Sequence, residues 1–183
     1  MRFLFILFVA LVSGFLLLEV SGSGRDTEKP VFLRIDELAR NHHTKIDLEV
    51  HAPYRPTDIE LTRLKEDYGN IWAHLNHLYA TNDVEQGKEY YTEAWFQHLC
   101  RHYSGPRKPL VTRTDLYHKL LIQNWANDGL VCTAIDSNIV LQYQYPDLLT
   151  QASTAHIALV LLYQGDHWRI DAIRVLDETF LEN

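Results

Sequence analysis

A chain of 183 residues suits one domain with an appendage, because domains usually run to roughly 100–200 residues. Its apolar fraction of 46% is that of a globular protein able to fill a core. The net charge of -7 and a pI near 5.8 exclude a basic nucleic-acid footprint, so no nucleic-acid partner is expected.

In chain order, the first feature is "FLFILFVALVSGFLLL", residues 3–18, which follows Arg2 and carries no charge before Glu19. A short positive start, an apolar run and the small residues Ser21 and Gly22 read as a signal peptide. The run is slightly long for that role and short for a span of about 20 residues, so an uncleaved anchor stands beside it. No cysteine lies near it, which excludes a lipoprotein anchor. Either alternative places the rest of the chain outside the cytoplasm, in the cell envelope or secreted. The membrane is a partner through residues 3–18 only if they stay uncleaved.

Residues 23–56 read as a linker and irregular extension, with one short helix around Ile35 to Asn41. From Thr57 the pattern sharpens. Thr57 and Glu60 form a capping box. Leu61, Leu64, Tyr68, Ile71, Trp72, Leu75, Leu78 and Tyr79 then recur at helical spacing to about Ala80. Asn82 and Glu85 begin a second helical stretch, with Tyr91, Trp95 and Leu99 on its buried face. Thr92 is placed to split it, and Gly105 with Pro106 to stop it.

After Pro109 the period becomes two. Strands are predicted over 110–125, 129–136, 139–145, 154–163 and 167–176. "ANDG" and "QGD" are hairpin turns, "DSN" (136–138) a tight corner and "YPDLLTQ" a longer loop. Helices followed by an antiparallel meander define an α+β fold with helices on one face of a sheet, over residues 57–183.

The closing hairpin, "ALVLLYQGDHWRIDAIRVL", resembles the nuclear transport factor 2-like superfamily. The resemblance covers roughly residues 57–178. It implies N-terminal helices packed on a strongly curved antiparallel sheet, a cystatin-like half-barrel whose concave face encloses a pocket. Function does not follow from it, since the superfamily holds isomerases, dehydratases, scaffolds and binding modules. Trp168 and Ile170 alternate with Arg169 and Asp171, so one pair is expected to face the helices.

Enzymes on such a scaffold place an aspartate, tyrosine or histidine on the concave strands, where an apolar pocket shifts its pKa. The candidates by position are His118 on the first strand, Asp136 at a strand end, Tyr143 and Tyr145 on the third, and His156 on the fourth. Tyr90, Tyr91 and Trp95 are candidate wall residues. Each has a plainer role: Asp136 as a turn cap, the tyrosines as packing, His118 and His156 as core histidines. His74 with His77, and His98 with His102, share helix faces but lack the convergent third ligand of a zinc site, so no metal is expected. No nucleophile elbow, phosphate loop or dinucleotide fingerprint appears, and no cofactor is expected. Cys100 and Cys132 read as two thiols or one bridge.

Three functional readings follow. The first is an exported, non-catalytic module binding a small apolar ligand or a protein through its sheet, a second copy of the chain included. The second is a pocket enzyme performing acid–base chemistry through His118 or Asp136 with Tyr143. The third resembles the membrane-anchored assembly component of type IV secretion systems.

Overall fold

A computed structural model describes residues 36–103, 105, 111–147 and 149–181. The apolar run 3–18, and residues 23–35 of the linker and extension 23–56, lie outside the described residues. Among the described residues, no helix is long and apolar enough to cross a membrane.

The elements are α1 (Glu37–Arg40), β1 (Lys45–Val50), α2 (Asp58–Thr81), a 3-10 helix (Glu85–Tyr90), α3 (Glu93–His102), β2 (Thr112–Trp125), β3 (Val131–Gln144), β4 (Thr150–Gln164) and β5 (His167–Phe180). They form an α+β fold with one five-stranded sheet in the order β1-β2-β3-β4-β5. β2 through β5 are antiparallel neighbours, and β1 runs parallel to β2, so the sheet is mixed and open at both edges.

Helix α2 starts where the capping box predicts. Thr57 Oγ1 accepts from Glu60 N at 3.3 Å, and Glu60 Oε2 accepts from Thr57 N at 2.7 Å. These bonds satisfy two of the donors that every helix start leaves open. The helix ends on Asn82, whose φ of 61° places it in the left-handed region. Its buried stripe is Leu64, Tyr68, Ile71, Trp72, Leu75 and Leu78, laid against β2 and β5. Thr92 does divide the next stretch. Its hydroxyl accepts from Trp95 N to cap α3, donates to Asp171 at 2.8 Å, and its N–H donates to Ile170 O at 2.9 Å. One residue thus starts a helix and ties it to β5.

Lys45–Val50, expected within an irregular extension, is a strand. Ile46, Leu48 and Val50 alternate with Lys45, Asp47 and Glu49, and Ile46 is buried. The charged face made the segment look unpatterned, yet such alternation is what an edge strand needs. The expected corner at 136–138 is likewise absent: β3 runs unbroken from Val131 to Gln144, with a bulge between Asp136 and Ile139. The hairpins at Gly129 and Gly165 stand as expected, with φ of 72° and 76°.

The core lies between α2, α3 and one sheet face. Trp168 is buried against Trp125 and Tyr163, with ring centroids 5.0 and 5.5 Å away, and its N–H donates to Asp67 at 2.9 Å. Ile170 is buried beside it, and Arg169 and Asp171 are half-buried. Trp72 is buried and Trp95 half-buried.

Candidate functional site

Strict alternation would put Asp115 and His118 on opposite faces of β2. Instead the pairing with β3 slips between Asp115 and Tyr117 and again between Tyr117 and Leu120. Such bulges re-aim side chains, and both residues turn inward with no exposed surface. On β3, Asp136 faces inward in step with Cys132 and Ala134, and the bulge after it turns Ile139 inward next.

Three buried ionisable groups therefore meet. His118 Nδ1 lies 2.6 Å from Asp136 Oδ2, and His118 Nε2 lies 2.8 Å from Asp115 Oδ2. Ionised carboxylates only accept, so with both aspartates ionised this geometry fits a ring that donates from both nitrogens, an imidazolium. Burial works against that charge, but the Asp115 and Asp136 carboxylates outweigh it and raise the His118 pKa above its ordinary value. Burial would likewise raise Asp115, but hydrogen bonds from His118 and His42 hold it well below the usual carboxylate range. Each carboxylate takes two further hydrogen bonds. Asp136 accepts from Tyr68 Oη at 2.8 Å and Lys119 N at 3.0 Å. Asp115 accepts from His42 Nε2 at 2.7 Å and from Asn76 Nδ2. A base must reach its substrate's proton, and both His118 nitrogens are engaged with buried carboxylates.

The second feature is a cavity of about 190 Å³ between α2, α3 and the sheet. Its floor includes Ile139, Leu141, Ala155, Ile157 and Ile173, and its walls include Leu75, Leu78, Trp95 and Leu99. Polar groups are few: Arg113, Tyr143 and Glu178, with the rims of Tyr79 and Tyr103. Trp72 belongs to both features, since it lines the cavity while its ring lies 4.6 Å from that of His118. Asp115, His118 and Asp136 do not line it.

Arg113 enters from β2. Its Nε donates to Asn76 Oδ1 at 2.9 Å and its Nη2 to Leu75 O at 3.2 Å. The guanidinium lies 5.3 Å from the Trp72 ring centre and 4.7 Å from that of Tyr79, within cation–π range. Across the cavity, Tyr143 Oη and Ser153 Oγ both donate to Glu178 Oε1, at 2.7 and 2.8 Å. Burial and the Glu178 carboxylate push the Tyr143 hydroxyl well above its ordinary pKa, so it stays a neutral donor.

Of the residues singled out by sequence, Tyr143 and Trp95 line the cavity, and His118 pairs with Asp136 behind Trp72. Asp136 is an acceptor in mid-strand and caps no turn. His156 is exposed on the other sheet face, opposite Asp177 on β5, because it alternates with the buried Ala155 and Ile157. Tyr145 bonds Gln151, Tyr90 bonds Asp36, and Tyr91 is buried; none of the three lines the cavity. Sequence reading passed over Asp115, Arg113 and Glu178. The inward alternation of Arg113 with Asp115 was the signal available for two of them.

The rings of His98 and His102 lie 4.2 Å apart, while His74 and His77 meet separate carboxylates. His74 Nε2 bonds Asp36 at 2.7 Å, His77 lies 3.7 Å from Asp83, and His102 donates to His98 O at 2.9 Å. Among the described residues, no group of three His, Cys, Asp or Glu side chains is placed to hold a metal ion. Cys100 is exposed and Cys132 buried, and both are free thiols. Burial pushes the Cys132 thiol up to about 12, which makes it an inert core group. No protein-family model matches this chain, and no curated protein matches it in sequence.

Proposed function

We propose that the chain is an exported, non-catalytic binding module of nuclear transport factor 2-like fold, whose helix–sheet cavity takes a small apolar ligand. The observation that carries this reading is the cavity itself: largely aliphatic and aromatic, with a few convergent polar groups. At about 190 Å³ it is smaller than drug-sized sites, which start near about 300 Å³. It exceeds the engineered hole of about 150 Å³ that binds benzene, so a single substituted ring matches it in scale. The acid–base alternative loses support because the buried histidine–aspartate group is hydrogen-bonded within itself and does not line the cavity.

Helices packed on a five-stranded sheet, with the closing Gly-Asp-His-Trp hairpin, favour the half-barrel fold. Export rests on the uncharged run 3–18 after Arg2. Fractionation with N-terminal sequencing tests it: recovery from the cell envelope or medium is expected, and cytoplasmic protein with Met1 intact would overturn it. For the cavity, toluene or a similar one-ring compound is expected to quench or shift the fluorescence of Trp72 and Trp95 saturably. No saturable change with any one-ring compound would refute the binding reading.

A further inference from the structure

Resting on that reading, we infer that the cavity is built for a small ring compound bearing one carboxylate, anchored by Arg113. The argument is an inventory of donors and acceptors in the lining. A guanidinium carries five N–H groups, and Arg113 commits two of them, to Asn76 and to the Leu75 carbonyl. Among the described residues no carboxylate lies within 4.0 Å of it, so a half-buried cation faces an apolar cavity with hydrogen-bonding capacity left. Isolated cations in such surroundings are costly unless they are paired. The faces of Trp72 and Tyr79 offset part of that cost, but they supply no in-plane acceptor.

The acceptor side is nearly spent. Among the described residues Glu178 is the sole carboxylate in the lining; it is exposed, and its Oε1 already receives Tyr143 and Ser153. A guanidinium with unused N–H groups, in a lining poor in free acceptors, complements an anion. Guanidinium with planar carboxylate is the pairing of best geometry.

Arg113 is also held in place. Asn76 accepts from its Nε while donating to Asp115, and Asp115 is fixed by His118 and His42. The buried triad thus orients the arginine through Asn76. Glu178 would repel a second anionic group, so one carboxylate is selected over two.

The test uses the full-length chain and a matched panel: benzoate, benzamide, benzylamine and toluene, followed by calorimetry and tryptophan fluorescence. Benzoate is expected to bind about tenfold or more tighter than benzamide, in line with a charge-assisted bond, and benzylamine weakest of the four. Arg113→Gln should erase the preference for benzoate over benzamide. Arg113→Lys keeps the charge without the fork and should retain part of the preference; far-UV circular dichroism verifies that both variants fold. Should benzamide or toluene equal benzoate on the unaltered protein, the anchor is refuted while the binding reading stands. Should none of the four bind, that reading fails and takes the anchor with it. The comparison on the unaltered chain decides the matter even if both variants unfold.

Discussion

His118 and Arg113 sit on the same strand and both turn toward the helices, yet their surroundings finish them in opposite ways. Every polar atom of the His118 ring is taken by a carboxylate, and the carboxylates are taken in turn by Tyr68, Asn76, His42 and a backbone N–H. Arg113 keeps unused N–H groups in the lining of the cavity. Burial and unusual ionisation alone therefore do not mark a working site. A closed network specifies packing; unfilled capacity beside empty volume marks the place where something binds.

The strongest way to break this contrast is to open the closed network. His118→Ala leaves two buried carboxylates without their cation, and removal of one member of a buried ion group costs about 3–5 kcal/mol. The upper end is expected here, because two partners are orphaned. Urea denaturation measures it, and a loss under about 1 kcal/mol would mean the triad does not hold the core. The sign of its pH dependence is also set. The raised His118 contributes stability below its ordinary 6.5 and loses it as pH rises through the folded value. The lowered Asp115 contributes above its ordinary 3.8 and loses it as pH falls. The triad is thus worth most between those two values.

Next in size is Trp168→Ala, expected to cost about 3–4 kcal/mol by leaving a hole against Trp125 and Tyr163. Because Trp168 does not line the cavity, ligand binding should survive in the fraction that stays folded. Equilibrium unfolding and toluene titration on the same sample separate the two effects.

A third change is smaller and runs the other way. Asp67 on α2 accepts only Trp168 N–H, and burial raises its pKa to about 6 despite that bond. The folded state then binds the proton more tightly than the unfolded chain, so stability falls as pH rises from about 4 to about 6. The fall amounts to about 2 kcal/mol, allowing for partial exposure. Asp67→Asn keeps an oxygen for Trp168 and removes the charge, so it should stabilise the protein at pH 7 and flatten that limb. Thermal melts across pH 4–7 would show it; an unchanged slope would exclude Asp67 as its source.

These features were unequally legible in the sequence. Thr57 with Glu60, Thr92, Gly129 and Gly165 are local signals, each sufficient for its own cap or turn, and each sits where the chain pattern places it. The triad was hidden because it depends on two bulges, and a bulge is a property of pairing between strands. Period-two reading separates Asp115 from His118, and Asp-Ser-Asn looks like a corner when no partner strand is in view. His156 shows the converse: a histidine amid aliphatics reads as core, but β4 is covered on one face only, and His156 falls on the other. The charged face of β1 disguised a strand for the same reason. Arg113 and Glu178 meet at one cavity from strands far apart in sequence, which nothing local encodes.

The smallest expected change in stability is also the sharpest test of the contrast. Ala155 lies on β4 in the cavity floor, its side chain buried and facing the empty volume. Leucine at that position adds three carbons. In a filled core, overpacking costs about 1–3 kcal/mol, and that would be the outcome near His118, where no space remains. Above the floor of a cavity of about 190 Å³, the added carbons gain contacts instead of forcing neighbours aside. Ala155→Leu should therefore shift stability by less than about 1 kcal/mol in either direction. At the same time it should abolish uptake of toluene and benzoate, because the added side chain takes up room the ring needs. Denaturation and calorimetry on one preparation read both quantities. Unaltered ligand binding in the folded variant would place the ligand elsewhere, and a loss of several kcal/mol would mean the cavity closes in solution.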